Sequence, residues 1–121
     1  MTRTPEEVFV HHVQAMGAGD LDEIVADYAD DAVFISPGGV IRGKDGIRAA
    51  MAQLLGQLPK ASWEYKTQIY EGDVLFFEWG ADSTAARVDD GVDTVVFHDG
   101  LIRLQTARCS VQAKAQRDGR L

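Results

Sequence analysis

Up to Pro59 apolar residues recur mostly every three or four positions, interrupted by one short strand-like stretch; after it they alternate with polar ones. Phe9, His12, Val13 and Met16 share one helical face. Thr4 is placed to cap that helix, with Pro5 at its first position and Glu6 and Glu7 in its first turn. Gly17 and Gly19 end it. Asp20 caps a second helix whose apolar positions are Leu21, Ile24, Val25 and Tyr28. Ala32 to Ser36 is strand-like, Pro37-Gly38-Gly39 is a turn signal, and Val40-Ile41 is a short return strand. After Gly43 to Gly46 comes a third helix striped by Ile47, Met51, Leu54, Leu55 and Leu58, and stopped by Pro59.

Beyond Pro59, Trp63, Tyr65, Thr67 and Ile69 alternate with Glu64, Lys66 and Gln68. Gly72-Asp73 separates this strand from VLFFEWGADSTAAR. Asp89 to Gly91 reads as a turn or bulge, Val92 to Phe97 as a strand, His98-Asp99-Gly100 as a turn and Leu101 to Val111 as the last strand. Short turns between consecutive strands predict antiparallel pairing. Three helices followed by such a sheet predict an α+β domain. VLFFEW and VDTVVF carry apolar residues on both faces, yet three helices cover only one. The second face is therefore expected to meet another copy of the chain, as a two-fold homodimer.

A length of 121 residues favours one domain, taken as residues 1–113 followed by a polar tail, 114–121. The net charge of −7 argues against nucleic acid and anionic membrane surfaces as partners. A single cysteine, Cys109, permits no intrachain disulfide. MTRTPEEVF has no apolar signal core, and no run is long enough to span a bilayer, so a cytoplasmic location is expected.

The segments GDLDEIVADYADDAVFISPGG, IRGKDGI and VDTVVFHDGLI, in this order, resemble the nuclear transport factor 2-like superfamily, in its SnoaL-like and ketosteroid-isomerase-like branch. The resemblance implies a curved antiparallel sheet wrapped as a cone around three N-terminal helices, an apolar pocket inside the cone, and dimerisation through the convex sheet face. It does not select a reaction, because this fold carries isomerases, cyclases, dehydratases and non-catalytic binding modules.

By the same resemblance, the position of the isomerase's general base, just before a proline after the first strand, is Ser36, whose alcohol has little basicity near neutral pH. The oxyanion-hole tyrosine position is His12. The oxyanion-hole aspartate is retained as Asp93, in a strand that is otherwise apolar. Parity puts Asp93, Val95 and Phe97 on one face. If that face lines the cone, burial favours the protonated, donating form of Asp93, whereas an adjacent His12 imidazolium favours the carboxylate. The expectation is a His12–Asp93 hydrogen bond, with His12 as general acid or base oriented by Asp93. His11, about 100° away on the helix, is expected on the solvent side.

By the resemblance, Tyr28 matches a tyrosine near the pocket; otherwise it ends the second helix with its hydroxyl wet. Phe77 and Trp79 are expected in the cone wall, and Trp63 at one end. By the resemblance, Val95, Gln105 and Cys109 occupy pocket-facing strand positions, with Cys109 an inert thiol. No histidine, cysteine or carboxylate spacing suggests a metal site, and no cofactor motif is visible. Two functions stay open. One is a cofactor-free isomerase, cyclase or dehydratase acting on an apolar carbonyl compound through His12 and Asp93, with Ser36, Tyr28 and Gln105 positioning it. The other is a non-catalytic ligand-binding protein with the same cone.

Overall fold

The structure is a computed structural model that describes residues 2–115. Helix α1 (Pro5–Ala18) opens with a capping box. The Thr4 hydroxyl accepts from the Glu7 N–H, and the Glu7 carboxylate accepts from the Thr4 N–H at 2.8 Å. The helix closes on Gly19, whose φ of 64° is one that glycine adopts without penalty. Helix α2 (Leu21–Ala26) is capped by Asp20 and ends at Asp27. Strand β1 (Tyr28–Ser36) follows at once, then β2 (Gly39–Arg42), helix α3 (Lys44–Gln57), β3 (Ser62–Glu71), β4 (Val74–Asp82), β5 (Ala86–His98), β6 (Leu101–Arg108) and β7 (Gln112–Ala113).

The strands form one curved, open sheet in the order β2-β1-β6-β5-β4-β3, with β7 added to β5. Helices and sheet bury a common core that includes Val8, Phe9, Ile24, Ile47, Met51, Leu75, Val95 and Ile102. The α+β cone is therefore as expected, with one correction. The sheet is mixed, because β1 runs parallel to β6. Turn length constrains only strands that are neighbours in sequence. β1 and β6 are separated by β2, α3 and three further strands, and that long return leaves them side by side in the same direction.

Several boundaries also differ. Tyr28, expected on the second helix, is the first residue of β1, because the Asp27 carbonyl is taken by the Ile102 N–H at 2.7 Å and the chain enters the sheet there. The run VLFFEWGADSTAAR is not one strand: it turns at Ser83, whose hydroxyl accepts from the N–H groups of Ala85 and Ala86. Asp89 to Gly91 is a bulge within β5, since Trp79 pairs with Gly91 and Ala81 with Val88, leaving one more residue on β5 than on β4 between those pairs. Lys114, assigned to the tail, binds the Ala85 carbonyl through its N–H at 2.9 Å and Asp82 through Nζ at 2.7 Å. Residues 116–121 of that tail lie outside the described residues. No helix among the described residues is long and apolar enough to cross a membrane.

Inward and outward positions alternate along the central strands. Leu75 and Phe77 of β4, Asp93, Val95 and Phe97 of β5, and Ile102 and Gln105 of β6 are buried. Their neighbours Val74, Phe76, Val92, Thr94, Val96, Leu104 and Thr106 occupy the other face, which the helices leave uncovered and which is apolar for most of its length.

Candidate functional site

The hollow between helices and sheet encloses a cavity of about 490 Å³. Its wall is largely aromatic and aliphatic. Phe9 packs against Phe77 with ring centroids 4.9 Å apart, Tyr65 meets Phe9 edge-on at 5.7 Å, and Trp63 lies 5.7 Å from Trp79. Met16, Phe34, Met51 and Leu54 complete the apolar lining, and the Pro37-Gly38-Gly39 turn stands at its edge. Against this wall two polar groups stand out: Asp93 on β5 and His12 on α1.

Asp93 is 6% exposed. Oδ1 accepts from Trp79 Nε1 at 2.8 Å and Oδ2 from Gln105 Nε2 at 2.7 Å. The Gln105 amide is itself oriented, because its Oε1 accepts from the hydroxyl of the fully buried Tyr28. Tyr28 is thus neither helical nor wet. Burial raises its pKa well above the usual phenol range, so it remains a donor. For Asp93, burial pushes the pKa up to about 6, while the hydrogen bonds from Trp79 and Gln105 and the nearby His12 pull the other way. Both fixed partners are N–H donors, which match a carboxylate and not a carboxylic acid. Of the two forms the sequence left open at this position, the two N–H donors therefore suit the carboxylate, with its basicity raised by burial. It is mostly ionised at neutral pH and still able to take a proton.

His12 is buried and lines the same cavity. It does not bond to Asp93. The inter-strand neighbours of Asp93 take both of its oxygens, and the His12 ring turns toward the end of α2 instead. There Nδ1 lies 3.2 Å from Oδ2 of Asp27. Asp27 is fully buried and ionised. Burial alone would raise its pKa, but the hydrogen bonds from His12 and His11, with help from Arg3, hold it below the ordinary aspartate value. A carboxylate at Nδ1 places a proton there and leaves Nε2 as the nitrogen open to the cavity. Nε2 has no hydrogen-bond partner among the described residues. The His12 ring also meets the Tyr28 ring edge-on at 5.6 Å.

Asp27 and His11 were not anticipated. His11 is only about one-third exposed; its Nδ1 sits 2.7 and 2.9 Å from the two Asp27 oxygens and its Nε2 2.9 Å from Glu23. Adjacent helical positions reach the same carboxylate because Asp27 lies between their two directions. One signal was present in the sequence. An aspartate ending a short helix opposes the helix dipole, so it needs a local cationic or N–H partner.

The other expected residues divide. Ser36, Phe77, Trp79, Gln105 and Cys109 line the cavity. Tyr28 and Val95 do not: Tyr28 lies behind Gln105, and Val95 is packed in the core, 2% exposed. The Ser36 hydroxyl accepts from the Gly38 N–H at 3.3 Å, and the described residues place no base beside it. Burial raises the pKa of the Cys109 thiol, with Asp93 and Asp90 adding to the effect, so it is a poor nucleophile. His98 is exposed and paired with Asp99 in the β5–β6 turn.

Residues 9–105 match the model of the SnoaL-like domain. No functionally curated protein matches at a significant level. Among solved structures, the chain is similar to an NTF2-like protein of unknown function from Burkholderia xenovorans LB400 (23% identity, 95% of this chain and 88% of that one covered, TM-score 0.74). It is similar to IdmH from Streptomyces antibioticus, named as a candidate polyketide cyclase (16% identity, 89% and 93% covered, TM-score 0.76). It is also similar to a candidate ketosteroid isomerase from Kribbella flavida (16% identity, 98% and 86% covered, TM-score 0.73).

Proposed function

Since the chain belongs to the SnoaL-like family, we propose that it is an acid–base enzyme that moves a proton at a carbon next to the carbonyl of an apolar, ring-containing or polyketide-like compound. The reading rests on one observation: two ionisable groups, each with its own partners, face a single apolar cavity. Asp93 takes the base role. Its raised pKa puts it close to working pH, and its Trp79 and Gln105 donors hold it in place while leaving lone pairs for a C–H proton. His12 takes the acid role as its imidazolium: Asp27 holds the proton on Nδ1, and the second proton, on Nε2, is donated to the carbonyl oxygen and recovered when the enol collapses. The proton taken by Asp93 then returns to a different carbon for isomerisation, or leaves with a hydroxyl group for dehydration. The apolar wall selects a flat, hydrophobic body and excludes water from both groups.

The test is solvent-deuterium exchange, followed by NMR, at carbons next to the carbonyl in a panel of cyclic ketones and aryl diketones. Wild-type protein should accelerate exchange for at least one compound, and Asp93→Asn should abolish the acceleration. Compounds that bind without any accelerated exchange overturn the reading. They would favour the second one, a ligand-binding module, for which the specific observation is Ser36. At the place where the resemblance puts a base, the chain has an alcohol turned to its own backbone.

A second copy is proposed to cover the uncovered sheet face. Ile35, Ile69 and Val74 are each more than one-third exposed there, beside half-buried Phe76, Val96 and Leu104.

A further inference from the structure

Asp27 is a buried carboxylate shared among three cationic or N–H side chains from two segments. Arg3, in the stretch before α1, reaches Oδ1 through Nη1 at 3.0 Å, while its Nη2 donates to the Gly100 carbonyl at 2.9 Å. His11 spans both oxygens, and His12 takes Oδ2 at the longest distance of the three, 3.2 Å. His12 alone of these opens on the cavity. His11 looks outward, where Nε2 meets Glu23, a residue more than half exposed.

We propose that His11 is a positioning residue for the cavity histidine: with Arg3 it shares the Asp27 carboxylate, and so sets how much of that negative charge acts on His12. The geometry carries this. A carboxylate has about four lone-pair positions, and here Arg3 and His11 hold the shorter contacts. A protonated His11 also stands one residue from His12, so its charge opposes a second positive charge there. Each His11 ring nitrogen faces a carboxylate, Nε2 on Glu23 and Nδ1 on Asp27, an arrangement that suits the doubly protonated ring; these hydrogen bonds, Glu23 first, raise its pKa. The charged and titratable groups around His12 are Asp27 at the end of α2, Tyr28 on β1, Asp93 on β5 and His11 beside it on α1. Arg3 and Glu23 act one contact further out, and Tyr65, Arg108 and Cys109 line the same cavity. Of the groups linked to the Asp27 carboxylate, His11 and Arg3, with Glu23 behind His11, are the ones reached from the solvent side. The inference rests on His12 being the acid of the proposed site, but its test needs no substrate.

The test is an NMR titration of the imidazole nitrogens in the full chain, comparing wild type with His11→Gln, Arg3→Gln and Asp27→Asn. Removing His11 leaves more of the Asp27 charge to His12 and removes a like charge. The His12 midpoint should therefore rise by roughly half to one pH unit relative to wild type. Arg3→Gln should move it the same way by less, because that side chain is more exposed, and Asp27→Asn should lower it. A purely structural His11 would leave the His12 midpoint unchanged on replacement by glutamine while Asp27→Asn still moved it. That result overturns the proposal, as does a His12 midpoint that none of the three variants shifts. If exchange activity is absent but the His12 midpoint moves as stated, the proposed reaction fails and the sharing of Asp27 stands.

Discussion

Gly91 lacks a side chain where the Trp79 indole lies: a Cβ built on Gly91 would sit 2.3 Å from Cδ2 and Cε2 of that ring. The two residues are partners across the β4–β5 ladder, immediately beside the bulge in β5. The empty position lets the indole lie close over the strand, and from there Nε1 reaches Asp93. A backbone feature thus decides where a cavity carboxylate gets one of its two donors. Gly91→Ala should displace the indole, destabilise the protein by about 1–3 kcal/mol through overpacking, and change the near-UV dichroism of tryptophan. Urea unfolding with an unchanged midpoint and an unchanged tryptophan band would show that the close approach is not needed.

Trp79→Phe separates the donor from the ring. Phenylalanine keeps most of the wall but removes the N–H that favours the charged form of Asp93. The Asp93 midpoint should rise above its value of about 6, read from its side-chain carboxyl resonance by carbon NMR against pH. A fall would mean that the Trp79 N–H is not what favours the charged form of this carboxylate.

The same carboxylate predicts an unusual pH dependence of stability. Asp93 has a folded pKa of about 6 against an ordinary 3.8, so the folded protein binds its proton more tightly than the unfolded chain does. Its contribution to stability is therefore full below about 3.8 and declines as pH rises toward about 6. The difference amounts to roughly 3 kcal/mol by neutral pH. The neighbouring groups act elsewhere. Asp27, with a lowered pKa, contributes stability that is present above 3.8 and lost as pH falls below it. His11, with a raised pKa, contributes stability that is present below 6.5 and lost as pH rises through its folded value. Asp93→Asn should accordingly gain stability relative to wild type between pH 4 and 6.5, measured as the difference in urea unfolding free energies. A difference independent of pH across that interval would contradict the buried-carboxylate account.

The order of helices before sheet and the inward aspartate were legible because both follow from periodicity; the cone came from the family resemblance. Alternation in VDTVVF puts Asp93 on the same face as Val95 and Phe97, and the structure buries all three. Pairing partners were not legible. Trp79 and Gln105 come to Asp93 from two other strands, and Asp27 comes to His12 from the end of α2. A single sequence records which face a residue occupies, but not which residue across the ladder stands opposite. That depends on register, here altered by the β5 bulge and by the step between Val96 and Phe97. The parallel β1–β6 pair was hidden for the same reason, being set by a long connection with no local signal.

Tyr28→Phe tests the chain of bonds behind Asp93. It removes the hydroxyl that orients Gln105 and leaves the amide oxygen buried without that donor. The loss should be about 1–3 kcal/mol in unfolding free energy. Under the proposed function, exchange catalysis should weaken with little change in ligand affinity, because Tyr28 does not line the cavity. An equal loss in binding would place Tyr28 in the ligand's path and contradict its position behind Gln105.

The uncovered sheet face gives the last expected outcome. Val74 pairs with Val96, and Val96 in turn with Leu104, so three apolar side chains stand in a row across β4, β5 and β6; Phe76 opposite Thr94 extends the patch toward Ile69 on β3. Water at such a surface is unfavourable, and a second copy related by a two-fold axis removes it from both partners at once. A stable interface of this kind needs about 800 Å² from each partner. Sedimentation velocity at micromolar concentration should therefore show a dimer. Val96→Lys, at the centre of the row, should convert it to a folded monomer, since its side chain points away from the cavity and the core. A wild-type monomer at that concentration, or a lysine variant that stays dimeric, would assign this face another role.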